Sequence, residues 1–276
     1  MQDANCNRIY LLKFALMAIN NKCIIHAFSR EENFYMRNII IQCEQWLHER
    51  VEEAKASGII LGLSGGIDSS VLAALSREAL GRDCVLGVIM PCHSISDDED
   101  DARLLARELD IPFERVDLSD TFDSLYSRIE SITGNTIELV RSNMKARLRM
   151  VTLYALAQAR NLLVCGTSNK SEFETGYFTK YGDSGVDLMP LAGFLKREIR
   201  EIARLLHVPE KIITKAPSAG LYAGQTDESD MGFTYDTLDE YLSSGRIEDE
   251  EAKRRIDVMR RRSEHKRKPI PIFKAN

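Results

Sequence analysis

The feature that most restricts this chain is an alternation of short, continuous apolar runs with polar loops and amphipathic helices. Ile59-Ile60-Leu61-Gly62-Leu63, Cys84 to Met90 and Leu162 to Cys165 are such runs, and Phe113 to Leu118, introduced by Pro112, reads as a further strand. A strand apolar at nearly every position has no polar face to turn to water, so it is buried on both sides. Helical spacing of apolar residues marks Val71 to Leu80, Asp97 to Leu109, Thr136 to Arg160 and Leu191 to Leu206. Strands alternating with helices imply right-handed crossovers and an α/β fold, a doubly wound parallel sheet with flanking helices. Ligands of such sheets sit at the carboxyl ends of the strands, which is where the polar loops leave.

Upstream, Met36, Ile39, Ile40, Cys43, Trp46, Leu47 and Val51 predict a helix over Phe34 to Ala56, stopped before Gly58. Residues 36–276 read as a single domain with a C-terminal helical extension, and residues 1–35 as a leader. The stretch Ile9 to Ile19 resembles a short signal core, but Asp3 precedes it and no small-residue cleavage pattern follows Asn20. It is also too short and interrupted to span a bilayer, so no membrane partner is expected. Two readings stay open: an appended N-terminal helix or loop, or a start that properly lies at Met36.

Charge and cysteines narrow the partners. A net charge of -5 argues against nucleic acid, whose backbone demands a positive face. Six cysteines, Cys6, Cys23, Cys43, Cys84, Cys92 and Cys165, contain no C-x-x-C pair. That is neither zinc-ligand spacing nor a disulfide framework, and it implies a reducing, cytoplasmic setting. The acidic run Asp97 to Asp101 is compatible with a metal site, but carboxylates in a first helical turn are what the helix dipole favours.

The most informative string is Ser64-Gly65-Gly66-Ile67-Asp68-Ser69-Ser70, which follows a buried strand and opens a helix. Two glycines let the backbone approach an anion and adopt positive φ. The helix start and the Ser64, Ser69 and Ser70 hydroxyls offer donors to phosphate oxygens. Asp68 repels polyphosphate unless a cation lies between them, so its natural task is to hold Mg²⁺. The string lacks the Gly-Lys-Ser/Thr ending of a Walker A loop, and G-x-G-x-x-G does not occur. It resembles the pyrophosphate loop of the N-type ATP pyrophosphatases, which cleave ATP between the α- and β-phosphates and adenylate an oxygen.

Further strings resemble the NAD synthetase branch of that superfamily in order and spacing. They are Asn143 to Met150, Gly166 to Glu172, Gly176 to Asp183, Asp187 to Lys196, Lys215 to Ala219, Gly224 to Glu228 and His265-Lys266-Arg267. The resemblance covers about residues 36–272 and implies an adenine nucleotide alpha hydrolase-like fold. The implied reaction is ATP-dependent amidation of deamido-NAD to NAD with ammonia, through an adenylated nicotinate carboxylate, releasing AMP and pyrophosphate. Carried over by position, Gly62, Leu63, Ser64, Gly65, Gly66, Ile67, Asp68 and Ser69 wrap the ATP phosphates, with Thr167, Lys196 and Ser218 as further ATP contacts. Asp68 and Glu172 bind Mg²⁺, and with Lys196 they form the catalytic set. Arg147, Lys180, Asp187, His265 and Lys266 contact deamido-NAD. The resemblance also implies a homodimer with the dinucleotide site near the subunit boundary.

Each residue has a plainer reading. Arg147 and Arg149 decorate an exposed helix face, Glu172 caps a helix, and Lys180 and Asp187 are ordinary loop residues. His265 lies in the charge run Arg260 to Lys268, which suits a solvated tail or one that orders over a bound dinucleotide. Asp68 and Glu172 are both expected on loops at the sheet's edge. The rivals are a GMP synthetase-type or thiolating relative and a non-catalytic nucleotide binder. Neither accounts for Thr179 to Asp183 together with Asp68 and Glu172. Glutamine-using relatives carry an additional N-terminal domain with a catalytic cysteine, which thirty-five residues cannot build, so free ammonia is the expected nitrogen source.

Overall fold

A computed structural model describes residues 21–94, 96–134, 137–218 and 226–274, those of 21–32 for backbone only. The expected leader before Asn21, Cys6, the Cys23 side chain, and Ala219 to Gln225 of the resembling strings lie outside the described residues. The chain divides into two compact units, residues 1–42 and 43–276. In the first, the described part is the beginning of helix α1 (Asn21–Glu53), which continues into the second. This helix starts well before the expected Phe34, because residues 21–33 contain neither glycine nor proline to stop it. It closes sooner than expected, with Lys55 in the left-handed region at φ 53.

The second unit is built on four parallel strands in the order β3-β2-β1-β4. They are β1 (Gly58–Gly62), β2 (Val85–Ile89), β3 (Phe113–Arg115) and β4 (Leu162–Val164). Register runs Ile60 to Leu86 on one side of β1 and Ile60 to Val164 on the other. Helices α2 (Ile67–Leu80), α3 (Ser96–Glu108), α4 (Ser119–Thr133) and α5 (Glu138–Arg160) make the crossovers. Ile60, Leu86, Val88 and Val164 pack into one cluster with Phe122 of α4 and Leu153 and Ala157 of α5. Ile59 and Leu61 are fully buried on the opposite face of β1, which α2 covers. Buried on both faces, β1 and β2 are apolar throughout. β3 is shorter than the run that predicted it, since it is the edge strand and exposes Glu114 and Arg115.

After β4 come α6 (Lys170–Thr175), α7 (Lys196–Leu205) and α8 (Glu210–Ile213). The helical extension follows: α9 (Asp227–Met231), α10 (Tyr235–Ser244), α11 (Glu250–Arg262) and α12 (Glu264–Arg267). It has a small core of its own, Met231, Phe233, Tyr235, Leu238, Ala252 and Ile256. The extension meets α6 at Gly176, whose φ is +68 and where a Cβ would stand 2.1 Å from the Cβ of Ser263. Helix α7 begins five residues later than its apolar pattern suggests. Leu195 is its N-cap, and the Glu198 carboxylate accepts from the Leu195 N–H at 2.7 Å.

Candidate active site

Strand order reverses between β1 and β4, because the chain moves from β1 out to β2 and β3 and then returns to the other side. The loops after these two strands therefore open a crevice at a topological switch point. Helix α2 starts at Ile67 with Gly66 as N-cap, so Asp68 sits in a helical first turn and not on a loop. The Gly66 carbonyl explains the early start: it accepts from the Ser70 N–H at 3.1 Å, the Ser70 hydroxyl at 2.8 Å and the Ser69 hydroxyl at 3.0 Å. Ser70 is fully buried by this arrangement, so its hydroxyl is not the phosphate donor that the string suggested.

Glu172 likewise stands within a helix, at the third position of α6. Asn169 Oδ1 accepts from the Glu172 N–H at 3.0 Å, and Glu172 Oε2 accepts from the Asn169 N–H at 3.4 Å. This capping box occupies Oε2, while Oε1 accepts from Lys196 at 3.2 Å and Tyr235 at 3.3 Å. The amide of Asn169 also donates to Asp68 Oδ1 at 2.8 Å, joining the loops of β4 and β1 across the switch point.

Between the two carboxylates stands Lys196, the first residue of α7, 1% exposed. Its Nζ donates to Asp68 Oδ2 at 2.5 Å and to Glu172 Oε1 at 3.2 Å. Burial alone would depress its pKa, but Asp68 and Glu172 outweigh this and hold it above the ordinary lysine range. Burial and the charge of Asp68 push the Glu172 carboxyl up to about 8, against the pull of Lys196. Asp227 is also raised by burial, with Lys196 opposing, and its carboxylate accepts from Tyr235 at 2.9 Å. The centre thus holds more carboxylates than cations.

A cavity of about 920 Å³ opens over this centre. Gly62, Leu63, Ser64, Gly66, Ile67, Asp68, Ser69, Thr167, Glu172, Lys196, Ser218 and Lys266 all line it. Gly65 does not: its φ is +76, and a Cβ there would stand 2.2 Å from the Asp98 carbonyl oxygen of α3. Arg147, Lys180 and His265 gather beside the cavity without lining it. The Arg147 guanidinium donates to the Lys180 carbonyl at 3.2 Å, and the Lys180 ammonium to the His265 carbonyl at 2.8 Å. Lys266 donates to the Gly176 and Phe178 carbonyls at 2.7 and 2.6 Å, so the basic tail is anchored without a ligand. Asp187 stands apart, accepting from the Val164 N–H at 2.8 Å and the Tyr154 hydroxyl at 3.0 Å.

The acidic run of α3 is an ion-pair array. Lys215 reaches Asp98 at 2.6 Å and Asp101 at 2.7 Å, Lys211 reaches Asp101 at 2.5 Å, and Arg103 and Arg115 share Glu99. Among the described residues no group of three or more His, Cys, Asp or Glu side chains is placed to hold a metal ion. Sequence reasoning missed four contributors. Arg149 lines the cavity with its guanidinium on the Met90 carbonyl, and Lys215 lines it through its acidic partners. Asn169 was legible, since an Asn three residues before a Glu is a capping signature. Tyr235 carried no local signal.

A family model described as NAD synthase matches residues 39–270. The chain belongs to the NAD synthase family. It is 50% identical to the NH(3)-dependent NAD(+) synthetase of Finegoldia magna over 83% of this chain and 92% of that one. To the enzyme of that name from Carboxydothermus hydrogenoformans it is 49% identical, over 81% and 91%. Among solved structures it resembles an NMN synthetase from Francisella tularensis, with TM-score 0.82 and 36% identity over 86% of this chain and 98% of that one. An NH3-dependent NAD synthetase from Campylobacter jejuni gives TM-score 0.71 and 29% identity over 87% and 99%. The crevice at the β1/β4 switch point is therefore the candidate active site of an NAD synthase family member.

Proposed function

We propose that the chain amidates deamido-NAD to NAD with ammonia at the expense of ATP, through an adenylated nicotinate carboxylate. The observation that carries this reading is Lys196, buried between Asp68 and Glu172 beside the 62–69 loop. The loop and the α2 N-terminus receive the triphosphate, with Thr167 and Ser218 on the facing wall. The nicotinate carboxylate oxygen attacks the α-phosphorus, and the α–β bridging oxygen leaves with pyrophosphate. Lys196, kept charged by its neighbours, stabilises the charge that develops on the leaving group. Ammonia then attacks the acyl carbon, loses a proton, and AMP departs with the oxygen it had bonded. No protein nucleophile is required.

Two carboxylates on the cavity wall with one lysine between them fit Mg²⁺, which is held by one or two carboxylates plus substrate phosphates. Asp68 and Glu172 would hold it, and when bound it offsets phosphate charge. Lys266, with Arg147, Lys180 and His265 behind it, supplies cations for the dinucleotide pyrophosphate, and Asp187 acceptors for a ribose. Residues 36–276 act as one catalytic domain. A homodimer is supported by the apolar residues exposed along α5, Leu139, Val140 and Val151, and by Ile137 at its N-cap, on the helix whose Leu139 and Ser142 line the cavity. A cytoplasmic location is supported by Cys43, Cys84, Cys92 and Cys165 standing as free thiols. No helix among the described residues is long and apolar enough to cross a membrane.

The test incubates the purified chain with Mg-ATP, ammonium and either deamido-NAD or nicotinate mononucleotide. The second substrate is included because one structural relative is named an NMN synthetase. NAD, AMP and pyrophosphate should form in equal amounts, with deamido-NAD preferred. At subsaturating ammonium the rate should climb with pH to about 8.5, as neutral amine becomes available. Ammonia-free glutamine should substitute poorly. Formation of ADP, or efficient glutamine use with glutamate released in step, would overturn the reading.

A further inference from the structure

Helix α10, anticipated only as part of an extension, aims two side chains four residues apart at the catalytic centre. One is Tyr235, fully buried, whose hydroxyl stands 2.9 Å from Asp227 Oδ2 and 3.3 Å from Glu172 Oε1. Lys196 Nζ lies 4.8 Å from the centroid of the same ring, within cation–π range. The phenol therefore touches both partners of the Lys196–Glu172 pair, one through its face and one through its oxygen.

The other is Asp239, also fully buried. Its Oδ1 accepts from the Ser171 hydroxyl at 2.5 Å, and its Oδ2 accepts from the Arg197 N–H at 2.8 Å. Ser171 Oγ accepts in turn from the Lys196 N–H at 3.1 Å. A single carboxylate thus holds the first turns of α6 and α7 together, at the residues adjacent to Glu172 and Lys196. Tyr235 and Asp239 lie on one face of α10, as residues four apart do. Neither lines the cavity, so neither is a catalytic residue.

We infer that Tyr235 and Asp239 are positioning residues that set the Lys196–Glu172 separation for the adenylyl-transfer step. The inference rests on the amidation reading of the site. A plain packing role does not account for the polar atoms: the small core of α9–α11 asks of Tyr235 only its ring, and of Asp239 nothing. Displacements of about 1 Å in a catalytic constellation lower rates by about 100-fold.

The experiment measures kcat, KM for deamido-NAD and Tm for wild type, Tyr235→Phe, Asp239→Asn and Ile256→Val. Tyr235→Phe keeps the ring beneath Lys196 and removes the bonds to Glu172 and Asp227. Asp239→Asn keeps the shape and replaces one acceptor with a donor. Ile256→Val loosens the same small core without touching a polar partner. The expected result is a kcat lowered about 10-fold or more in the first two, with KM changed less than about 2-fold. Ile256→Val should lower Tm and leave kcat within about 2-fold of wild type at the assay temperature. If Asp239→Asn does not fold, Tyr235→Phe decides alone. Wild-type kcat in Tyr235→Phe, or an equal loss of kcat in Ile256→Val, overturns the inference while the amidation reading stands. A wild-type chain that forms no AMP with deamido-NAD overturns that reading, and the inference with it.

Discussion

Replacing Lys196 by Met leaves a side chain of similar length and removes the positive charge seated between Asp68 and Glu172. At 2.5 Å the Asp68 pair is worth roughly 7 kcal/mol of gross attraction at an effective dielectric of about 20, and the Glu172 pair at 3.2 Å roughly 5 kcal/mol when that carboxyl is ionised. Most of this is cancelled by the cost of holding the ammonium away from water. The net penalty for deleting one partner of a buried ion pair is about 3–5 kcal/mol, because an uncompensated charge stays behind. That corresponds to a Tm loss on the order of 10 °C for a chain of this size. The loss should depend on pH with a definite sign. In wild type the Glu172 carboxyl releases its proton at about pH 8. Without the lysine its pKa rises further, so above about pH 7 the folded variant keeps a proton that folded wild type gives up. The unfolded chains hold equal numbers, so the variant becomes relatively less stable as pH rises, by up to about 1.4 kcal/mol per unit. Urea denaturation at pH 7 and pH 9 should show the gap to wild type widening by about 1 kcal/mol. Activity should fall by at least about 100-fold at either pH. A gap of the same size at both pH values would refute the argument that Lys196 works by compensating the two carboxylates.

Gly65→Ala places a methyl 2.2 Å from the Asp98 carbonyl at a φ of +76, where an L residue costs about 1–2 kcal/mol before any clash. The loop must shift, so KM for ATP should rise about 10-fold, measured at saturating deamido-NAD, with kcat less affected; an unchanged KM would contradict the tight seating of the loop on α3. Glu44 is pushed up to about 7 by burial and by the neighbouring Glu78 carboxyl. The folded chain therefore keeps a proton that the unfolded chain has released, and this contribution to stability is lost as pH climbs from about 4.5 through about 7. Glu44→Gln should melt about 1–2 °C above wild type at pH 8 and level with it at pH 5, the small size reflecting solvent screening. Equal differences at both pH values would assign the change to packing.

What was legible in the sequence follows from how far apart the interacting residues lie. The strands β1 and β2 announced themselves because both faces are buried, so Ile59 to Leu61 and Val85 to Ile89 carry no polar interruption. The Ser64 to Ser70 string was legible as a strand-to-helix turn because its serines act on neighbours within six residues. Helix starts were harder. Ile67-Asp68-Ser69 has no apolar period, and the hydroxyl contacts that draw it into α2 all converge on one carbonyl. At α7 the buried Leu191 and Leu195 extend the helical pattern upstream, although the chain turns there. The catalytic centre was legible as residue types and not as an arrangement. Asp68 and Lys196 are 128 positions apart, and Asn169 and Asp68 are 101 apart, so only the crossover topology brings them together. Tyr235 reads as an ordinary apolar position of an amphipathic helix, since nothing in its neighbours marks the carboxylates above it.

The charge balance of the centre bears on how a polyphosphate is accepted there. Asp68, Glu172 and Asp227 surround one lysine, and Glu172 and Asp227 are both raised by burial. An ATP brought alone to such a centre meets repulsion, while a divalent cation brought alone would find Asp68 and Glu172 on the cavity wall, with Asp227 engaged by Tyr235. Among the described residues no third metal-ligating side chain completes a cage. Each ligand therefore lacks what the other supplies: the cation needs phosphate oxygens to fill its coordination shell, and the phosphates need the cation to approach two carboxylates. The two should bind as one unit, with Lys196 already in place to hold the carboxylates apart for them. Because Lys196 and Glu172 begin separate helices whose first turns are joined through Ser171 and Asp239, the protein fixes that spacing before either ligand arrives. On the proposed reading, the electrostatic preorganisation that adenylyl transfer requires is a property of the fold itself, and a bound Mg²⁺ would tune a geometry that it does not have to create.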